Sequence, residues 1–360
     1  MRIFQNFDVY PQYLEQRRQG MSLSTYASVR EHLMVDRFIA VHMLQPVLEE
    51  AEEAAFAVGR DAISQRDWAR SQGMSERSSL HEILLAQIEH HRTEVFYNLD
   101  AMRFRSDFAR TLPGCVKRSI AWRAGPSGKA DFGAYDLIVC NFESILQSFR
   151  ERGWRAAWFY PAFDPVMSDY AVTSDRTWDV VFVGSYSRYH TRRASILTMV
   201  AGLGAHYKVK VCLQRSMLTQ LAEIFPRWVP LLGPHRVRRD IAEVAEDAVY
   251  GRDLYRLFSR AKIVVNGAID MAGPDRGNIR CWEALGCRAL MLSDRGIYPR
   301  GFESGNTIQT YDSVDDLTEK VAWLLTDTAS RERIADAGYA MIHSQYSKAQ
   351  QWHDFQQLAA

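Results

Sequence analysis

The chain has 360 residues, of which 47% are hydrophobic and 24% charged, as in folded globular proteins. Its 44 basic and 43 acidic residues leave a net charge of +1, which excludes a global positive field that would attract nucleic acid or an anionic membrane. At about 150 residues per domain, this length favours two domains.

The cysteines and the apolar runs indicate a cellular compartment. Cys115, Cys140, Cys212, Cys281 and Cys287 form no CxxC pair, and their odd number favours reduced thiols. The N-terminal segment lacks the apolar centre of a signal peptide, and no apolar run approaches the ~20 residues of a membrane helix. We therefore expect a soluble cytoplasmic protein without stable membrane insertion.

In the first half of the chain, short apolar runs alternate with helical periodicity. "RIFQNF" predicts the first strand, and residues 29–53 show the three- and four-residue apolar spacing of helices. "LHEILLAQIEHHRTEVFYNLD" predicts a helix that leads into a strand at Val95–Leu99. "YDLIVCNF" predicts a buried strand, and the helix after it ends at Gly153. This alternation is typical of an α/β fold with mainly parallel sheets.

A polar stretch separates this half from a second α/β region. "DPVMSDYAVTSDRT", residues 164–177, has little periodicity and predicts an interdomain linker. "WDVVFVGSYS" then predicts a strand, "TRRASILTMVAGLG" a helix, and "KIVVNGAI" another strand. A final helix is predicted at about Lys348–Leu358. The sequence thus predicts two α/β units with a cleft between them.

The loop "FVGSYSRYHTRR" is the first candidate for a binding site. A buried strand ends at Gly184, and a helix begins near Thr191. Glycine lets a ligand approach the backbone closely, free amides at a helix start favour an anion, and arginine suits phosphate oxygens. The alternative is a tight turn with solvated arginines. The candidate residues of this loop are Gly184, Ser185, Ser187, Arg188, His190 and Arg193.

The segment "GPDRGNIRCWEALGCRALMLSD", Gly273 to Asp294, is the second candidate. It follows the strand that ends near Asn266, and Asn278 is placed to begin a helix with unpaired amides. Arg280 in the first turn is a cation that the helix dipole disfavours unless an anion offsets it. Glu283 lies on the same face and could bind a ribose diol. The alternative is a surface salt bridge between Arg280 and Glu283, worth at most ~0.5 kcal/mol.

These residues carry a family resemblance. "LYRLFSRAKIVVNGAID" and "GNIRCWEALGCRALMLSD", with "DVVFVGSYSRYHTRRASIL" before them, resemble the C-terminal half of a GT-B glycosyltransferase of the group 1, spore-maturation-type branch. The resemblance spans about residues 178–346. It implies two Rossmann-like domains facing across a cleft. The domains would be an acceptor domain at 1–163, a nucleotide-sugar donor domain at 178–345, and a C-terminal helix at 346–360 that crosses back to the first domain.

The resemblance also implies roles for single residues. Glu283 matches the second of two glutamates that many retaining members place eight positions apart, and Asp275 stands at the position of the first. Asn278 and Arg280 fit the branch pattern N-x-R-x-x-E. The basic loop after Gly184 would face the diphosphate. Implied catalytic groups are Arg280 and His190. Donor-binding residues would be Gly184, Ser185, Ser187, Arg188, Arg193, Asn266, Asp275, Asn278 and Glu283.

The activity implied is transfer of a sugar from a nucleoside diphosphate sugar, UDP- or GDP-linked, with retention and without a metal. The departing diphosphate would take the acceptor proton, and no DxD metal motif is present. In the first domain, Asp100 and Asp136 are candidates to face the acceptor, and the loop Ser119–Lys129 carries Trp122, whose ring suits stacking on a sugar or base. The acceptor class stays open among glycan, protein, small molecule and nucleic-acid base. The alternative activities are a nucleotide-sugar epimerase or hydrolase on the same fold, and a non-catalytic nucleotide-sugar binding protein.

Overall fold

Two six-stranded parallel sheets, each flanked by helices, make up the fold in this computed structural model. The structure describes residues 1–173, 175–186, 191–215, 217–225, 229–267 and 271–360. The chain divides into two compact units: unit 1 holds residues 1–162 and 348–360, and unit 2 holds residues 163–347. The α/β class predicted from the sequence is confirmed.

The strands and helices follow one another in regular alternation. The strands are β1 (Ile3–Asn6), β2 (Ala54–Ala57), β3 (Val95–Asn98), β4 (Arg118–Trp122), β5 (Leu137–Cys140), β6 (Ala156–Trp158), β7 (Trp178–Ser185), β8 (Val209–Gln214), β9 (Ala245–Asp247), β10 (Ala261–Asn266), β11 (Leu290–Asp294) and β12 (Gln309–Tyr311). The α-helices are α1 (Pro11–Gly20), α2 (Tyr26–Asp36), α3 (Gln45–Leu48), α4 (Ala62–Ser71), α5 (Leu80–His90), α6 (Ser106–Ala109), α7 (Glu143–Arg150), α8 (Met167–Ala171), α9 (Thr191–Leu203), α10 (Met217–Ile224), α11 (Arg239–Ala242), α12 (Gly251–Ser259), α13 (Ile279–Gly286), α14 (Val314–Thr326), α15 (Thr328–Gln345) and α16 (Lys348–Ala359). Short 3-10 helices lie at Ala40–His42 and Pro230–His235.

The order of the strands explains their apolar sequences. The sheet of unit 1 runs β2-β1-β3-β4-β5-β6, and that of unit 2 runs β12-β11-β10-β7-β8-β9. A parallel sheet is covered on both faces, so its central strands are apolar throughout. All four residues of β5, "LIVC", are buried. Helix α16 adds Phe355 to the core of unit 1.

The C-terminal helix is anchored in unit 1 by buried polar contacts. Lys348 Nζ donates hydrogen bonds to the carbonyl oxygens of Ala40 at 2.7 Å, Val41 at 3.2 Å and Met43 at 2.7 Å. Gln351 Nε2 donates to the carbonyl of Val41 at 3.1 Å. These bonds satisfy the carbonyls of an irregular buried segment, so α16 stabilises unit 1 in the way a core element does.

Two expectations about local structure are wrong. The helical pattern over residues 29–53 breaks after α2, because Arg37 and Ile39 adopt the left-handed conformation, with φ of 65° and 62°. The apolar spacing in this stretch reflects burial of an irregular segment. Residues 164–177 are not a free linker: they contain α8, and Tyr255 OH donates to Asp164 Oδ2 at 3.2 Å.

Gly286 explains how α8 packs so closely in unit 2. A Cβ atom at Gly286 would clash with Met167 Sδ of α8 and approach Phe163 to 3.2 Å. The absence of a side chain therefore allows α13 to lie directly against α8. The five cysteines form no disulfide bonds with one another. Among the helices that the structure describes, none combines the length and apolar character needed to cross a bilayer.

Candidate active site

The carboxyl ends of three adjacent strands define the candidate site in unit 2. Strands β11, β10 and β7 are neighbours, with Asn266 opposite Ser293 and Val265 opposite Phe182. Ser185, Asn266 and Asp294 end these strands and therefore meet at one edge of the sheet. Ligands of open α/β sheets bind at this edge.

Asn266 ties the edge together through its amide group. It is 7% exposed, and its Nδ2 donates to Ser293 Oγ at 3.1 Å. Its Oδ1 accepts from Asn278 Nδ2 at 3.1 Å, and its backbone oxygen accepts from Tyr311 OH at 2.8 Å. The side chain thus joins β10 and β11 to the start of α13.

Helix α13 begins immediately after Asn278, as the sequence predicts. Asn278 is the N-cap residue with an extended backbone, but its side chain makes no capping hydrogen bond. Because that side chain binds Asn266, it leaves the first-turn amides of α13 without a cap from this residue. Such amides form a site that favours anions.

Arg280 and Glu283 form an ion pair on the first turn of α13. Arg280 Nη1 lies 2.5 Å from Glu283 Oε2, and the two side chains are 17% and 7% exposed. The ion pair of the alternative interpretation is thus present, but it is not at the surface, since Trp282, Ala284 and Leu285 around Glu283 are also buried. Burial raises the pKa of Glu283, and the Arg280 charge partly offsets this effect. The pair is a buried charged unit beside Asn278.

A second buried ion pair, not predicted from the sequence, joins the loop before α13 to the end of β11. Arg276 Nε donates to Asp294 Oδ2 at 2.6 Å, with side chains 9% and 1% exposed. Arg276 Nη1 also donates to the carbonyls of Gly273 at 2.9 Å and Asp275 at 3.0 Å. Asp275 itself is 6% exposed. The signal available in the sequence was a polar Ser-Asp end on an otherwise apolar strand.

Arg193 is buried, so it is not the solvated arginine of the alternative interpretation, and its diphosphate contact stays a prediction. It is 7% exposed, its Nη1 donates to Ser185 Oγ at 3.3 Å, and its Nη2 donates to the Gly267 carbonyl. It therefore links the ends of β7 and β10. The neighbouring Arg192 is 43% exposed, with Nη2 3.8 Å from Asp294 Oδ2. At the end of β7, a Cβ on Gly184 would meet the Phe182 ring at 3.1 Å.

The predicted site residues fall into two groups. The structure brings Gly184, Ser185, Arg193, Asn266, Asp275, Asn278, Arg280 and Glu283 into unit 2 at or near the strand ends and the start of α13. Ser187, Arg188 and His190 lie outside the described residues. Within the part of the chain that the structure describes, no group of three His, Cys, Asp or Glu side chains is arranged to hold a metal ion.

In unit 1, two of the three sequence candidates make local contacts within the protein. Asp136 precedes β5, at the amino end of the sheet, and its Oδ2 accepts from Ser119 N and Oγ at 2.7 and 2.8 Å. Trp122 is 8% exposed and packs on His42, with ring centroids 4.6 Å apart. Both make contacts that serve local structure, and the acceptor and stacking roles stay predictions. Asp100 lies at the carboxyl end of β3.

Comparison with known proteins shows what the chain is similar to. Residues 214–357 match a family model described as glycosyl transferase-like. No curated protein matches the chain in sequence at a significant level. The crystal structure of HepE from Anabaena in complex with UDP-glucose is similar, with 11% identity, a TM-score of 0.60, and coverage of 99% of this chain and 98% of that one.

Two further structures share the fold over the same extent. A glycosyltransferase from Rickettsia africae has 8% identity and a TM-score of 0.59, covering 99% of this chain and 97% of that one. Sucrose-phosphate synthase from Thermosynechococcus elongatus has 10% identity and a TM-score of 0.56, covering 99% and 98%. The chain therefore has the GT-B fold, and its second half is similar to glycosyl transferases. Membership of the spore-maturation-type branch stays a prediction.

Proposed function

We propose that this protein is a glycosyltransferase that takes its sugar from a nucleoside diphosphate sugar, UDP- or GDP-linked, and binds that donor in unit 2. The observation that carries the proposal is the largely buried Arg280–Glu283 pair at the start of α13, where the N-cap residue Asn278 makes no side-chain capping bond and instead binds Asn266. A buried ion pair is costly without further partners. A ligand that offers both hydroxyl donors and negative charge supplies those partners, and a nucleoside diphosphate is such a ligand.

Each group then has a role in donor binding. The Glu283 carboxylate accepts hydrogen bonds from the ribose hydroxyls, which offsets the burial that raises its pKa. Arg280 and the first-turn amides of α13 stabilise the diphosphate. Asn266 orients Asn278, and the Arg276–Asp294 pair fixes the end of β11. HepE, a protein of the same fold, is known in complex with UDP-glucose.

The reaction follows from this charge arrangement. Arg280 stabilises the negative charge that develops on the departing diphosphate, an effect that acts mainly in the transition state. The diphosphate oxygen takes the acceptor proton, and the sugar is transferred with retention and without a metal ion. Ser187, Arg188 and His190, which lie outside the described residues, are proposed to complete the diphosphate side of the site.

A thermal-shift screen with variants tests the donor proposal. UDP or GDP should raise the melting temperature of the wild type, and Glu283→Gln, which keeps the size of the side chain, should remove most of that rise. Asp336→Asn is the matched control: it removes the carboxylate of another arginine pair, that of Arg288, where the side chains are 42% and 49% exposed. Equal stabilisation of Glu283→Gln and wild type by the same nucleotide would show that Glu283 is structural.

Product analysis separates the alternative activities. A transferase releases free sugar from its donor slowly, whereas an epimerase returns an isomerised donor and a binding protein leaves the donor intact. Incubating the wild type with UDP-glucose and following sugar and nucleotide by chromatography distinguishes these outcomes. Loss of slow hydrolysis in Arg280→Gln, with nucleotide binding retained, would support a transition-state role for Arg280.

A further inference from the structure

The carboxyl ends of β1, β2 and β3 in unit 1 carry a charged cluster that the donor proposal does not use. Asp8 follows β1, Arg60 follows β2 and Asp100 follows β3. Arg60 Nη1 lies 2.7 Å from Asp8 Oδ1, and Arg60 Nε lies 3.3 Å from Asp100 Oδ2. These strands are adjacent in the sheet, so the cluster occupies the edge where α/β sheets bind ligands.

A buried amide network holds the loops of this cluster in place. Asn6 Nδ2 donates to Asn98 Oδ1 at 2.8 Å, and the Gly59 amide donates to Asn6 Oδ1 at 2.9 Å. Asn98 Nδ2 donates to the Phe104 carbonyl at 3.2 Å, and Tyr135 OH donates to the same carbonyl at 2.6 Å. This buried network therefore holds the segments that carry Arg60 and residues 100–105 in one conformation, as preorganised binding sites require.

A cavity of about 460 Å³ opens beside the cluster, a size within the range of small-molecule sites. It is lined by Arg60, Met102, Arg103, Arg105 and Asp107, three cations against one anion. Arg105 Nε donates to the Met102 carbonyl at 2.8 Å, which orients its guanidinium. Within the described residues, neither Arg103 nor Arg105 has a carboxylate at ion-pair distance. Because Asp8 and Asp100 already offset Arg60, the attraction for a ligand comes mainly from these two arginines.

We propose that this cavity binds the phosphate, or a comparable oxyanion, of the acceptor. The planar forks of Arg103 and Arg105 suit the oxygens of such a group, and Arg60, held by two carboxylates, supplies a fixed wall of the site. Only the statement that the occupant is the acceptor depends on the proposed function. The oxyanion site itself depends on the geometry of unit 1 alone.

Titration calorimetry with inorganic phosphate and glycerol 3-phosphate tests the site. The wild type is first saturated with UDP, so that phosphate does not report on the donor site. Arg103→Gln/Arg105→Gln should bind both probes at least about tenfold more weakly than the wild type. The control Arg70→Gln/Arg110→Gln removes two charges from exposed side chains, 66% and 63% exposed, that do not line the cavity. It should bind both probes as the wild type does.

The outcomes separate this inference from the donor proposal. Equal phosphate affinity in the two double variants, or no phosphate binding by the wild type, would overturn the oxyanion site. Failure of UDP to bind would count against the donor proposal, while the difference between the two double variants would still report on the cavity. Arg103→Lys/Arg105→Lys, which keeps both charges, should recover part of the affinity and exclude a folding defect as the cause.

Discussion

The carboxyl edges of the two sheets place buried acids beside arginines in different ways. In unit 2, Arg276 lies 2.6 Å from Asp294, and both side chains are below 10% exposed. In unit 1, Arg60 is 29% exposed, lies 3.3 Å from Asp100, and divides its charge between Asp100 and the half-exposed Asp8. Burial together with the Asp8 charge raises the pKa of Asp100 to about 6, against the lowering effect of Arg60 and Arg103.

The comparison of Asp294 with Asp100 shows what a close arginine contributes to a buried carboxylate. Arg276, which lies 2.6 Å from Asp294, also holds two backbone carbonyls, so this pair fixes the loop before α13, while Arg192 lies 3.8 Å from the same carboxylate. Asp100 shares Arg60 with a second acid, Asp8. Its pKa of about 6 means that it takes up a proton when the pH falls only slightly below neutral. We infer that the edge of unit 2 is built for rigidity, whereas the edge of unit 1 can change charge near pH 6.

The largest effect is expected from Arg276→Met. Removing the arginine leaves Asp294, which is 1% exposed, without its close partner, and breaking a buried pair in this way typically costs about 3–5 kcal/mol. Urea unfolding at pH 7.5 measures the loss. Arg276→Met/Asp294→Asn should be less destabilised than the single variant, because no uncompensated charge remains. If Arg276→Met lowers the free energy of unfolding by less than Arg60→Met does, the inferred greater rigidity of the unit 2 edge is contradicted.

A smaller and pH-dependent effect is expected from Asp100→Asn. The folded-state pKa of Asp100 is about 6 against an ordinary 3.8, so the folded protein binds more protons than the unfolded chain between these values. Stability therefore falls as the pH rises from about 4 to about 6, by up to about 3 kcal/mol for a shift of about two pKa units. Asp100→Asn lacks this loss.

Urea unfolding at pH 4.5 and pH 7.5 tests this expectation. The stability of Asp100→Asn relative to the wild type should be higher at pH 7.5 than at pH 4.5. Asp107→Asn, at an exposed position of the same segment, is the control. A relative stability that does not change with pH would show that Asp100 keeps its charge across this range.

The sequence predicted the elements whose signal is local. The buried strands β5 and β10 read as apolar runs because parallel strands are covered on both faces, and the start of α13 followed from Asn278. The break after α2 was not predictable, since Arg37 and Ile39 are poor residues for a left-handed conformation. There the tertiary packing determines the backbone.

Within the site, the sequence could name residues but not their partners. Arg276 and Asp294 are 18 positions apart in the sequence. They meet because the loop that carries Arg276 folds against the end of β11. Arg193 was predicted to bind phosphate because it follows a glycine turn at the end of a strand. The structure adds contacts that the sequence did not indicate, to Ser185 and to the Gly267 carbonyl. Trp122 was a candidate to stack on a sugar or base, but its ring is covered by His42 and Phe159. Burial of a polar or aromatic side chain depends on distant segments.

The smallest effect is expected from Ser185→Ala, which removes a side-chain contact in unit 2. Its comparison is Ser79→Ala, which removes a helix cap in unit 1. The Arg193 Nη1–Ser185 Oγ distance is 3.3 Å, and Arg193 keeps the Gly267 carbonyl without it, so the loss should be below about 1 kcal/mol. Ser79→Ala removes a complete capping box from α5 and should cost about 1 kcal/mol. Thermal unfolding of both variants ranks them. If Ser185→Ala proves the more costly, the end of β7 depends on this hydroxyl, and Arg193 would be positioned by Ser185 and not by β10.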